Sequence, residues 1–257
     1  YTTRVKRLDL HLTAENDFDE RIKECLPTVW VPLVREDTPI ILDLSDLAKP
    51  LAEKMDYLAT VRDGSTGKLV NGYWLVEMYA SIGRKNPFPI LLEAFSHNEP
   101  ECPGQNPIVI DAVRRVFTLT KGRGVLVMDR GGDARVFLDD WLDHAYQFVV
   151  RLRGDRNFMR LYADSGGSGP GQWIPIESRQ LAERTPTPHR YSRVVKSRGR
   201  VVLRISQIGW VKVRLPGREE TLTMIVARSP GKEVPFMLLS NLSVENLADA
   251  KHVLRFY

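Results

Sequence analysis

The sequence predicts an α/β protein: a mixed sheet with helices, interrupted by a β-rich insertion. Three observations predict it. Between residues 38 and 154, strand-like runs come first and then alternate with helical runs, in the order β-β-β-α-β-α-β. Two of the apolar runs lead directly to a carboxylate, Asp43 and Asp129. Beyond residue 154 the chain turns to short Val- and Ile-rich runs separated by Gly and Pro.

Taken in order, residues 1–37 form a charged, partly helical segment. Ile22, Cys25, Leu26, Trp30 and Leu33 recur there at roughly helical spacing, with Pro27 and Pro32 as interruptions. Residues 39–45 (PIILDLS) form the first strand. A turn of Gly64, Ser65, Thr66 and Gly67 precedes a second, residues 68–80, rich in Val, Tyr and Trp. Residues 89–95 (PILLEAF) make a third, and the short connections suggest an antiparallel meander. A helix follows over 108–120, with Pro107 suited to its first turn and Gly122-Arg123-Gly124 closing it. Residues 125–128 (VLVM) are wholly apolar, as in a strand buried on both faces of a parallel sheet. A helix over 133–145 and a strand over 147–152 complete the first part of the core, 38–154.

The insertion spans 155–234. It contains a flexible loop at 165–171 and strands at 200–205, 208–215 and 221–228. Residues 235–257 return to core character, with a strand at 235–240 and a helix from Val244, N-capped by Ser243.

Composition narrows the function. The net charge of +5 is unevenly placed: residues 151–215 hold 14 Lys+Arg against 4 Asp+Glu, while the rest of the chain nets −5. Such a surface either meets phosphates or is simply solvated. Two cysteines, Cys25 and Cys102, are too few for a disulfide framework, so a reduced, cytoplasmic setting is expected. No run approaches a membrane span, and no signal-peptide pattern opens the chain. A Walker-type phosphate loop is missing, which argues against a nucleotide. His11, His97, His144, His189 and His252 show no metal-ligand spacing.

Asp43 and Asp129 carry the chemical signal. Alone, each reads as a loop cap at a strand end. Together, on neighbouring strands, they are paired hard oxygen ligands suited to Mg²⁺ or Mn²⁺. With one further carboxylate such a site holds two cations about 4 Å apart, the arrangement for in-line phosphoryl displacement.

The words around these residues resemble DDE-type transposases of the insertion-sequence 4 (Tn5-like) kind. ILDLSDLAKP (41–50) is similar to that family's first-Asp region, and VLVMDRGGDARVFLDDWLDHAYQFVVRLRGDR (125–156) to its second. VRLPGREETLTMIVARSPGKEVPFMLLSNL (213–242) looks like the end of its insertion. The resemblance covers roughly residues 38–257 and implies a ribonuclease H-like fold. It implies Asp43 and Asp129 as catalytic metal ligands and Arg130, Arg153, Arg156 and Tyr257 as DNA contacts. Arg130 reads equally as a partner for Asp133. Trp173 and Trp210 lie where related enzymes stack a flipped base, though each also reads as a sheet residue.

The family's third acid follows its helix Tyr by seven positions. Tyr257 matches that Tyr, so the acid is expected outside this chain; Glu245 and Asp249 are candidate substitutes two turns or more too early. The implied partners are double-stranded DNA, at transposon ends and target, and a second copy of the protein on paired ends, in a bacterial or archaeal nucleoid. The alternatives are a DNA-binding remnant that no longer cleaves and a structure-selective nuclease with the same two acids.

Overall fold

A computed structural model of the protein describes residues 18–82, 87–162, 172–197 and 200–257. The loop expected at 165–171 and His11 lie outside the described residues. Helix α1 (Phe18–Trp30) continues past Pro27 and ends in a 3₁₀ turn, Val31–Leu33. Then come β1 (Pro39–Ala48), β2 (Ala59–Arg62), β3 (Leu69–Ala80) and β4 (Phe88–Phe95). Helix α2 (Gln105–Thr120), β5 (Val125–Met128), α3 (Arg135–Asp143) and β6 (Gln147–Arg151) supply the expected alternation. The later part holds β7 (Asn157–Tyr162), β8 (Gln172–Glu177), α4 (Ser178–Arg184), β9 (His189–Ser197), β10 (Arg200–Val213), β11 (Leu222–Arg228), β12 (Phe236–Ser240) and α5 (Leu247–Phe256).

Ten strands form one mixed sheet in the order β2-β3-β1-β5-β6-β12-β11-β10-β9, with β4 also paired to β3. The meander is realised around β3, which takes β1 on one side and β2 and β4 on the other. Strands β1, β5 and β6 run parallel. Apolar side chains on both faces of β5 make this possible, since a buried parallel strand has no solvent side. Strands β9, β10 and β11 continue the same sheet beyond β12; among the described residues only β7 and β8 form a separate pair.

Alternation along the strands separates two cores. Ile40, Leu42, Leu126, Met128 and Val150 face α2 and α3, packing against Val113, Phe117, Phe137 and Trp141. Val125, Val149, Ile225 and Leu238 face α5, meeting Ala250, Val253 and Leu254. This is a three-layer α/β/α arrangement, built because each sheet face must bury its apolar set.

Several local expectations need correction. β2 was not anticipated; four residues are too few to show a period. Arg200–Val213 is one strand, although Ser206 and Gln207 suggested a break, because β9 and β11 hold its two halves. Helix α5 starts at Leu247, not Val244. Its cap is Asn246, which accepts from the N–H groups of Ala248 and Asp249 while Asp249 caps in return. Ser243 instead donates its hydroxyl to Glu245.

Gly124 sets the approach of β5 to β1. Its φ is +108°, and an added Cβ would lie 2.5 Å from Ile40 Cδ1. Gly124→Ala is expected to lower unfolding stability by about 1–3 kcal/mol through strain and overpacking. That is a fall of several degrees in melting temperature, and an unchanged melt would contradict so tight a β1–β5 approach.

Candidate active site

Register brings the two expected acids together. β1 and β5 pair in parallel, with Leu42 opposite Met128, and the next residue on each strand is the carboxylate. Side chains alternate, so Asp43 and Asp129 leave the α2/α3 core behind and emerge on the face that α5 covers. Both are exposed where the β1–β5 pairing stops, here termed the carboxylate edge: β5 and β6 end there, whereas β1 continues past Asp43 to Ala48 on β3, so Asp43 does not terminate its strand as expected.

Local hydrogen bonds orient each acid. Asp129 caps the 3₁₀ turn Arg130–Gly132, accepting from the Gly131 N–H at 2.7 Å. Asp43 accepts from the Leu44 N–H at 3.0 Å. Partial burial holds the Asp43 carboxyl above its ordinary range; the Leu44 N–H opposes this, and the negative charges of Asp129 and Glu77 add to it.

Glu77 is the acid that sequence reading missed. It sits directly opposite Asp43 across β1 and β3, on the same face. Nearby, burial together with Glu77, which takes a hydrogen bond, and Asp43 raises the pKa of the Tyr79 hydroxyl. Glu77 escapes sequence reading because cross-strand pairing leaves no local spacing signal.

Among the described residues, no three His, Cys, Asp or Glu side chains converge closely enough to hold a metal ion. Asp43 and Asp129 therefore fit a hard cation as two ligands of an incomplete set, and their mutual repulsion is what a cation would relieve. Glu245 and Asp249 do not complete it. Glu245 pairs with Lys212 at 2.7 Å, and Asp249 caps the start of α5, the end far from the carboxylate edge.

The basic residues divide by role. Asp133 pairs with Arg156, not with Arg130, correcting that alternative. The Asp133 side chain is 1% exposed and that of Arg156 13%. Asp133 also accepts from the Arg153 N–H at 2.8 Å, and the Arg153 side chain donates from Nε to the Arg130 carbonyl at 2.8 Å. One buried carboxylate thus ties the loop after β6 to the loop after β5. Arg130 and Arg153 are exposed beside Asp129.

Helix α5 runs from the far edge toward the carboxylate edge. Tyr257 follows it there, packing on Phe236 with ring centroids 5.3 Å apart, and the Arg151 guanidinium lies over Phe236 at 5.2 Å. Trp210 stacks on His189 at 5.3 Å, and Trp173 lies beneath Arg214 at 4.2 Å, as sheet residues do. Cys25 and Cys102 are free thiols. No helix among the described residues is long and apolar enough to cross a membrane.

No protein-family model matches the sequence, and no curated protein does. Among solved structures, the chain is similar to one titled "Cryo-EM structure of piggyBac transposase synaptic complex with hairpin DNA (SNHP)". The identity is 12% and the TM-score 0.46, over 85% of this chain and 37% of that one.

Two outcomes follow from the site's electrostatics. Arg156→Ala should cost about 3–5 kcal/mol in denaturant unfolding, because it leaves the Asp133 charge buried and unpaired. Asp133→Ala should cost a similar amount and the double variant no more than either, a strong coupling in a double-mutant cycle. Asp43 has a folded pKa raised above its unfolded value. Its contribution is therefore fully present below the unfolded pKa and is lost as pH rises through the folded one. In metal-free buffer, Asp43→Asn should melt higher than wild type at pH 7, with the gap closing toward pH 4. A gap that widens on acidification would reverse the sign of this interaction.

Proposed function

We propose that this chain carries the catalytic core of a DDE-type DNA transposase of the insertion-sequence 4 kind, on a ribonuclease H-like fold. The observation that carries the reading is the parallel register of β1 and β5, in which Asp43 and Asp129 are the residues that follow the paired Leu42 and Met128. Each lies inside a stretch of sequence resembling the corresponding part of that family. In this reading residues 38–154 and 235–257 make the core and 155–234 the insertion.

Asp43 and Asp129 would hold Mg²⁺ or Mn²⁺ as two anionic oxygen ligands, with a third acid completing a two-metal site. The bound cation supplies charge neutralisation at the scissile phosphate and activation of the attacking hydroxyl. The protein's own part is positioning. The Gly131 N–H fixes the Asp129 carboxylate, and Asp133 fixes the arginine loop beside it. Arg130 and Arg153 then draw the phosphate backbone toward the acids, with Arg156 contributing from its anchored position and Tyr257 from the end of α5. Water first displaces the 3′-oxygen of the element's end from phosphorus, and the freed 3′-hydroxyl then displaces a target-strand oxygen in line. No protein nucleophile is needed. Partners are double-stranded DNA, at element ends and target, and a second copy of the chain.

A second reading is a DNA-binding protein on this fold that does not cleave. It is favoured by the absence, among the described residues, of a third acid converging on the pair.

Manganese decides first whether the acids form a metal site. At about 100 times its dissociation constant it should stabilise wild type by about 2.7 kcal/mol, a rise of several degrees in melting temperature. Asp43→Asn and Asp129→Asn should lose that rise. In protein that also supplies the third acid, manganese-dependent nicking of plasmid DNA that Asp129→Asn abolishes supports the transposase, and nicking that survives the substitution sinks it. A manganese shift without nicking in that protein supports the non-cleaving reading.

A further inference from the structure

The register of β9 and β10 leaves part of the sheet without a neighbour. Gln207–Val213 of β10 pairs with β11, but Arg200–Ser206 pairs, among the described residues, only with β9. Seven residues of two-stranded ribbon therefore extend past Arg228, the end of β11, a reach of about 20 Å. They extend beyond the carboxylate edge, because Arg228 of β11 and Phe236 of β12 lie at the same end of the sheet as Arg151.

The ribbon's composition is one-sided. Residues 189–207 contain six Lys+Arg and no Asp or Glu. Arg193 and Arg204 stand directly opposite each other across the two strands. Like charges in that position destabilise a sheet unless something of opposite sign lies between or above them. Both are exposed, and among the described residues neither has a hydrogen-bond or ion-pair partner. Even-numbered positions of β10 share a face: Ile208 packs in the α5-side core, so Arg204 and Arg193 issue from that face too. It is the face on which Asp43 and Asp129 emerge.

At the ribbon's base lies an open hollow of ≈ 510 Å³ whose cationic lining is Arg190 and Arg228, with Ser206 and Ser229 hydroxyls hydrogen-bonded at 2.8 Å. The opposite face of the ribbon exposes Val194, 68% accessible, and Leu203, 58%. A ribbon that leaves both an unpaired arginine pair and bare aliphatic side chains is shaped for a ligand that is polyanionic and also offers apolar surface. A DNA groove does both, and the major groove, about 12 Å wide, admits a two-stranded ribbon.

We propose that the β9–β10 ribbon is a duplex-DNA arm: it lies in a groove, with Arg193 and Arg204 on backbone phosphates, and holds the same duplex that the carboxylate edge acts on. In taking DNA as the polyanion this rests on the function proposed above. Four strand spacings separate β5 from β10, and six residues separate the level of Trp210 from Arg204. The arm thus grips DNA roughly 25–30 Å from the acids, or about eight base pairs.

The test is duplex binding by the whole chain, read by fluorescence anisotropy with a 30-base-pair duplex across a salt series. Arg193→Ala/Arg204→Ala should weaken binding roughly tenfold at 0.1 M salt and reduce the log–log salt slope by about 1.8, two phosphates at about 0.9 each. Its melting temperature should equal or exceed that of wild type, because a like-charge pair has been removed. Arg193→Lys/Arg204→Lys should keep the slope. Wild-type affinity and slope in the alanine variant would overturn the arm while leaving the acid-pair reading standing. A lowered melting temperature would overturn it as well, by giving the pair a structural role, and so would loss of self-association in sedimentation with DNA binding intact. Wild type that binds duplex with no salt dependence would overturn both proposals together.

Discussion

The parallel pairing of β1 with β5 is the constraint on which the rest of the molecule depends. Its four residue pairs are almost wholly apolar, and the order of strands on either side follows from having this pair at the centre. Parallel strands need covered faces, so α2 and α3 must occupy one side and α5 the other. They also bring equivalent chain positions to the same edge. The placement of the acid pair is then a by-product of packing: once Leu42 and Met128 are buried in one core, the residues after them have nowhere to go but the opposite face, where the β1–β5 pairing stops.

The same logic explains why the later strands matter to the site. Adding β12, β11, β10 and β9 to the central strands by hydrogen-bonded pairing makes one continuous surface, rather than a core with a loosely tethered appendage. The Asp133 carboxylate performs the matching task at the junction, gathering Arg153 and Arg156 to the turn that holds Asp129. Burial of this ion pair makes it costly to disturb, and the loop it organises is the one that carries the exposed arginines.

How much of this was legible in the sequence depended on whether the signal was local. The strands that carry or lead to Asp43 and Asp129, the helix behind Pro107 and the amphipathic α3 announce themselves by period, length and breakers, although β1 runs on past Asp43 to Ala48. What was hidden involves partners distant in the chain. Glu77 acquires its significance only from facing Asp43, 34 positions away, and Asp133 only from its choice of Arg156 over Arg130. The cap of α5 shows a finer failure: Ser243 and Asn246 are both good caps, and only Asn246 has an Asp three positions on to return the bond. The polar step Ser206-Gln207 looked like an end because it is where β10 exchanges one neighbour for another.

The strict alternation of β1 has one more consequence. Leu42 and Asp43 differ by a single position, yet one belongs to the core and the other to the acid pair. Losing or gaining one residue before Asp43 would turn the carboxylate into the α2/α3 core and a leucine out to solvent, at the centre of the sheet. Such a chain would bury an unpaired carboxylate and fail to fold. Point substitutions can therefore alter the acid pair in a folded protein, whereas a one-residue insertion or deletion in β1 ahead of Asp43 cannot.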